Sequence, residues 1–135
     1  MNITVENDVK IIRMGDKGPN LLSVDRAKQI IQELNYDDCK AVIFLGNDKV
    51  FSAGLNLKDL TSATKPDQVA LIFGTLGKLL QACRDFQGPV ISIVGGHAIA
   101  GGCLLALASD YRYGMYGMHR MGLNEMSIEN EKTIV

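Results

Sequence analysis

The chain has 135 residues and a formal net charge of −1, with 47% hydrophobic and 21% charged residues. That balance excludes an intrinsically disordered chain and leaves no basic footprint for nucleic acid, so no nucleic-acid partner is expected. The length suits one domain with one core, and no apolar run approaches the roughly 18 residues of a membrane-spanning helix.

Residues 1–8 include Glu6 and Asp8 and no long apolar run. Neither a signal peptide nor an Arg-rich transit peptide is read there, and the last residues, Lys132-Thr-Ile-Val135, form no peroxisomal address; a cytoplasmic location is the expectation. Ile3–Val5 and Val9–Met14 are rich in β-branched residues and predict a hairpin across Glu6-Asn7-Asp8. Gly15–Pro19 is a loop by composition. Ser23 is placed to cap a helix reaching about Leu34, with Val24, Ala27, Ile31 and Leu34 on its inner face.

Ala41–Leu45 is a continuous apolar run, as in a strand covered on both faces. Residues 46–54 read as loop. Thr64, Pro66 and Asp67 have the chemistry of a helix start. That helix is expected to run to about Phe86, with Val69, Ile72, Phe73, Leu76, Leu79, Leu80 and Cys83 inward and Gly88-Pro89 as its stop. Val90–Val94 predicts a second buried strand. Two glycine pairs, Gly95-Gly96 and Gly101-Gly102, bracket His97–Ala100. Cys103–Ala108 is apolar all round and is expected to form a buried helix. Asp110–Tyr113 predicts a short strand. This order implies an α/β fold with parallel pairing through right-handed crossovers. Phe51–Asn56 and Gly95–Gly102 would then lie at the carboxyl ends of strands, where ligands bind in open α/β sheets.

Cys39, Cys83 and Cys103 form no CxxC pair, so no zinc site or redox dithiol is expected, and no metal. Free thiols fit a reducing compartment. Ser52, Ser92 and Ser109 lack the G-x-S-x-G context of a hydrolase nucleophile. His97 and His119 read as structural, and Lys58 and Arg84 as surface charges. The second glycine loop opens a helix without the Lys-Ser/Thr of a phosphate loop. Its amides are better suited to a developing oxyanion.

Taken together, Phe51-Ser-Ala-Gly-Leu-Asn-Leu57 and, about forty residues on, Gly96-His-Ala-Ile-Ala-Gly-Gly-Cys-Leu-Leu-Ala-Leu-Ala-Ser-Asp-Tyr-Arg-Tyr113 resemble the enoyl-CoA hydratase/isomerase (crotonase) family. The similarity covers about residues 1–128 and leaves 129–135 as a divergent tail. It implies a crotonase-like ββα spiral core, of the kind shared with ClpP, with the family's C-terminal part missing. The substrate it implies is an acyl-CoA, with no separate cofactor because coenzyme A is part of the substrate. It also implies homo-oligomers, trimers or hexamers in the family.

Carried over residue by residue, the resemblance gives oxyanion N–H groups on Leu55 and Gly101. Substrate-binding positions fall on Ser52, Ala53, Gly54, Leu55, Asn56, Gly101 and Asn124. Hydratases of the family use two glutamates; the first position holds Leu104, which cannot activate water. The second holds Glu125, in a Gly-Leu-Asn-Glu segment similar to delta-3,delta-2-enoyl-CoA isomerases. One carboxylate suffices for an allylic proton shift. By composition alone Glu125 reads as a solvated charge beside Glu129 and Glu131. The expectation is therefore an isomerase with Glu125 as acid/base. The alternatives are a hydratase-like enzyme and an inactive acyl-CoA-binding or assembly module.

Overall fold

The structure, a computed structural model, describes residues 1–36 and 38–123. β1 (Asn2–Glu6) and β2 (Val9–Arg13) form the expected antiparallel hairpin. α1 (Val24–Asn35) starts at Ser23, whose hydroxyl accepts the Arg26 N–H at 3.2 Å. Its inward residues are Ala27, Ile30 and Leu34, so Ile30 is turned further into the core than Ile31. β3 (Ala41–Leu45) follows, then β4 (Val50–Ser52) and α2 (Leu57–Ser62). α3 (Pro66–Asp85) leads to β5 (Val90–Val94), β6 (His97–Ile99), α4 (Gly101–Ala108), β7 (Tyr111–Gly114) and β8 (Met121–Gly122).

Two sheets result. The larger has the order β1-β2-β3-β5-β7, parallel from β2 onward, and the smaller is the parallel set β4-β6-β8. The small sheet occupies stretches that the sequence presents as loop. The expected α/β fold with parallel pairing holds. α1 and α3 pack against each other, and Ile12, Ile30, Val42, Phe44, Leu79 and Val90 are among the buried residues they enclose with the sheet. Burying one such side chain is worth about 1.5–3 kcal/mol.

Three details differ from expectation. The cap of α3 is Lys65 rather than Thr64, and the Gln68 side-chain carbonyl accepts both the Thr64 and Lys65 N–H groups. Val69 and Phe73 are exposed, because α3 buries the stripe through Ile72, Thr75, Leu76, Leu79 and Cys83. α4 is not covered all round: Leu107 is 55% exposed, and every residue of β7 is exposed. No helix among the described residues is long and apolar enough to cross a membrane.

Lys10 is the largest fully buried side chain. Its ammonium sits 2.8 Å from the Asp38 carboxylate and 3.1 Å from that of Glu33, and it donates to the Glu33 carbonyl at 2.8 Å. Burial works against its charge. The hydrogen bonds to Asp38 and Glu33 outweigh that and hold Lys10 above its ordinary 10.5. The same Lys10 hydrogen bond holds Asp38 below its ordinary 3.8. The stability this cluster contributes is present between those two ordinary values. It is lost as pH rises through the raised Lys10 value or falls through the depressed Asp38 value. Lys10→Met keeps the stem's packing and removes the charge, so its melting temperature should vary less with pH than the wild type's. Thermal melts from about pH 3 to about pH 11 read this, and parallel profiles for the two proteins would refute it.

Candidate active site

β4 and β6 are parallel neighbours, so the loops that leave their carboxyl ends emerge side by side. The first is Ala53–Asn56, leading into α2; the second is the single residue Ala100, leading into α4. Gly54 has φ +87°, and a Cβ placed on it would lie 2.6 Å from the Gly101 nitrogen and 2.9 Å from the Ile99 carbonyl oxygen. A Cβ on Gly101 would lie 3.3 Å from the Gly54 Cα and 3.5 Å from the Leu55 nitrogen. The Leu55 and Gly101 amides are therefore neighbours, in contact across two unconnected loops.

Hydrogen bonds on the other side of each peptide fix both amides. A planar trans peptide points its N–H opposite to its C=O. The Gly54 carbonyl accepts the Leu22 N–H at 2.8 Å, which orients the Leu55 N–H away from Leu22. The Ala100 carbonyl accepts the Leu104 N–H at 3.0 Å, which orients the Gly101 N–H in the same manner. Ala100 has φ 50° and ψ −119°, a conformation that costs a side-chain-bearing residue about 1–3 kcal/mol. Among the described residues neither the Leu55 nor the Gly101 N–H donates to an acceptor in the chain. Gly101 also opens α4, whose first turn carries partial positive charge. The arrangement suits an oxygen that bears or develops negative charge.

The remaining candidates take different places. Ser52, a substrate-binding position by the resemblance, is fully buried; its hydroxyl donates to the Asn20 carbonyl at 2.8 Å and accepts the Gly54 N–H at 3.1 Å. Ala53 is half-buried and donates its N–H to the Pro19 carbonyl at 2.9 Å. The Asn56 side chain caps α2 by accepting the Lys58 N–H at 3.1 Å. Leu104 is half-buried on α4, and Leu76 of α3 reaches within 3.6 Å of where a Gly101 Cβ would stand. Asn124 and Glu125 lie outside the described residues.

Asn20 was missed in the sequence. It is buried, has φ 48°, and its amide donates to the Val50 and Phe51 carbonyls at 3.0 and 3.3 Å. The signal was an asparagine beside Gly18-Pro19, a residue type that tolerates the left-handed conformation.

His97 is a structural tie: its Nδ1 accepts the Arg120 N–H at 3.0 Å, holding the start of β8, and its ring meets His119 edge-on at 5.5 Å. Ser92 and Ser109 hydrogen-bond each other at 2.6 Å in the core. Burial, with the Asp110 carboxylate adding to it, pushes the Cys83 thiol up to about 12, so it is no nucleophile at neutral pH. Among the described residues no cluster of three His, Cys, Asp or Glu is arranged to hold a metal. A cavity of about 580 Å³ opens at the amino ends of β3 and β5, between the last turns of α1 and α3, away from the paired amides.

A sequence model of the family described as enoyl-CoA hydratase/isomerase matches residues 4–128. Human enoyl-CoA hydratase domain-containing protein 3, mitochondrial, is 34% identical over 104 residues, covering 74% of this chain and 34% of that protein. Among solved structures, Pseudomonas aeruginosa DspI superposes with a TM-score of 0.85 at 25% identity, over 94% of this chain and 50% of its own. An enoyl-CoA hydratase from Bacillus anthracis gives 0.79 at 26% identity, over 95% of this chain and 52% of its own. The chain thus spans between about a third and a half of the length of these relatives.

Proposed function

The chain belongs to the enoyl-CoA hydratase/isomerase family, and from that premise we propose that it binds an acyl-CoA thioester with the carbonyl oxygen between the Leu55 and Gly101 N–H groups. The reaction is the shift of a 3-enoyl-CoA double bond to the 2-trans position. What supports the reading is that the Leu55 and Gly101 amides are neighbours across the two loops, each oriented by a hydrogen bond on the far side of its peptide and, among the described residues, without an acceptor in the chain. A thioester α-proton is a weak acid, and its removal becomes feasible when the enolate oxygen is met by donors already in place. The Glu125 carboxylate takes the proton from C2. The C2–H electron pair becomes part of the dienolate, and the proton returns at C4, so the double bond moves from C3–C4 to C2–C3.

Leu104 favours isomerisation over hydration. It stands half-buried one turn into α4, where a carboxylate would be needed to activate water. A hydratase reading is equally compatible with the family and has the relatives' names in its favour. The two readings separate in one assay. A 3-enoyl-CoA that becomes conjugated gains ultraviolet absorbance, whereas a hydrated 2-enoyl-CoA loses it. Isomerisation is expected, and Glu125→Gln should lower its kcat about 10²–10⁴-fold. Hydration by the wild type would overturn the isomerase assignment, and ligand binding without turnover in either protein would leave an acyl-CoA-binding module. Self-association is supported by the exposed Tyr111, Tyr113, Met115, Tyr116 and Met118. Sedimentation reads it directly.

A further inference from the structure

We propose that Asn20 and Ser52 are positioning residues for the Leu55 N–H, acting through hydrogen bonds buried behind the loop. The proposal rests on the acyl-CoA reading above and adds what sets the geometry of that site.

Gly54 is the weak point of the arrangement. With φ +87° and no side chain, its flanking peptides are free to rotate unless something holds them. Three bonds do. The Ser52 hydroxyl accepts the Gly54 N–H at 3.1 Å, the Leu22 N–H reaches the Gly54 carbonyl at 2.8 Å, and the Ala53 N–H reaches the Pro19 carbonyl at 2.9 Å. The Ser52 hydroxyl is itself oriented. Its proton goes to the Asn20 carbonyl at 2.8 Å, so its lone pairs are left for Gly54. Asn20 is in turn fixed to β4 through its side-chain amide, at 3.0 Å from the Val50 carbonyl and 3.3 Å from that of Phe51.

Ser52 also underlies the other donor. A Cβ on Gly102 would meet the Ser52 carbonyl group and lie 2.8 Å from the Ser52 Cβ, so the first turn of α4 rests directly on this residue. Ser52 is thus the common support of both loops, while its own side chain faces neither solvent nor ligand. Removing the hydroxyl leaves the Gly54 N–H without its acceptor and the Asn20 carbonyl without its donor. The Ala53–Gly54 peptide is then free to turn, and the Gly54–Leu55 peptide, which carries the Leu55 N–H, is left with the Leu22 bond alone to hold it against rotation about Gly54.

The test compares wild type, Ser52→Ala, Ser52→Cys and Asn20→Ala. The direction of the Leu55 N–H is read by residual dipolar coupling without ligand, alongside kcat and KM for a 3-enoyl-CoA. The third readout is the ultraviolet band of a bound 2,4-dienoyl-CoA, which moves to the red when its carbonyl is polarised. Ser52→Ala should reorient the Leu55 N–H, lower kcat about 10–100-fold with little change in KM, and shrink the red shift. Ser52→Cys retains a weak donor and acceptor and should recover part of each. Asn20→Ala should move the same readouts in the same direction, and carries the test with Ser52→Cys if Ser52→Ala does not fold. An unmoved Leu55 coupling in folded variants would overturn the proposal, as would kcat falling only in step with lost fold. A wild type that neither turns over the enoyl-CoA nor shifts the dienoyl band would instead defeat the functional reading, and the Leu55 coupling would still decide the positioning claim.

Discussion

A Gly54→Ala variant is expected to remain folded and to lose turnover of a 3-enoyl-CoA by about 10⁴–10⁶-fold. The expectation follows from two features of one residue. Gly54 has φ +87°, and placing an L-residue there costs about 1–2 kcal/mol. That is a minor part of the 5–15 kcal/mol typical of a folded domain, so the strain alone does not unfold the chain. The added methyl would lie 2.6 Å from the Gly101 nitrogen, 2.9 Å from the Ile99 carbonyl and 3.2 Å from the Ala100 Cβ. Two of these neighbours are backbone, so no flexible side chain can give way and the two loops must part. Losing one oxyanion donor costs about 10²–10³ in rate; parting the loops removes both from the same oxygen, and the product gives the figure above. Circular dichroism and a thermal melt establish the fold, and the ultraviolet assay gives the rate. A folded variant that retains more than about one-hundredth of wild-type turnover would show that the paired amides are not where the charge develops.

The two glycine-bearing loops were legible because their residue types have few other uses. A glycine before Leu55 and a glycine pair opening an all-apolar helix limit what the backbone does there. The helix starts were legible for a similar reason: Ser23 and Pro66 are chemically committed to those positions. What the sequence conceals is the second sheet. β4 and β6 are three residues each, too short to show a period of two, and they sit among Gly46, Gly54, Gly95 and Gly96, which read as loop. Without that sheet the loops appear to leave the main strands β3 and β5. With it, they leave adjacent parallel strands and are brought into contact. The place of Ser52 was hidden for the same reason: as the last residue of a strand beneath α4, its side chain points into the protein. The exposed Leu107, Val69 and Phe73 show the limit of hydrophobicity as a guide. An apolar side chain indicates that a surface is to be covered, and the described residues do not cover these.

The same Gly-to-Ala change should have opposite signs at two places in the fold, and the contrast tests the packing on which the site depends. On α3, a Cβ added to Gly77 meets nothing within 4 Å. Alanine there should stabilise the protein by about 0.5–1 kcal/mol, because glycine in a helix interior has more conformational freedom to lose on folding. On α4, a Cβ added to Gly102 meets Ser52, lying 2.7 Å from its carbonyl carbon, with the oxygen closer still. Alanine's helix preference is the same there and is overwhelmed. Ser52 cannot retreat, because it lies in a strand paired to β6 and its hydroxyl is bonded to Asn20. Overpacking against side chains typically costs about 1–3 kcal/mol; against fixed backbone the cost should reach at least the top of that range. A loss of about 3 kcal/mol in a chain of this size lowers the melting temperature by about 10 °C. Melts of Gly77→Ala and Gly102→Ala beside the wild type should therefore move in opposite directions, the second by far the more. If both move upward, α4 does not rest on Ser52, and the close approach that brings the Gly101 amide to the Leu55 amide is absent.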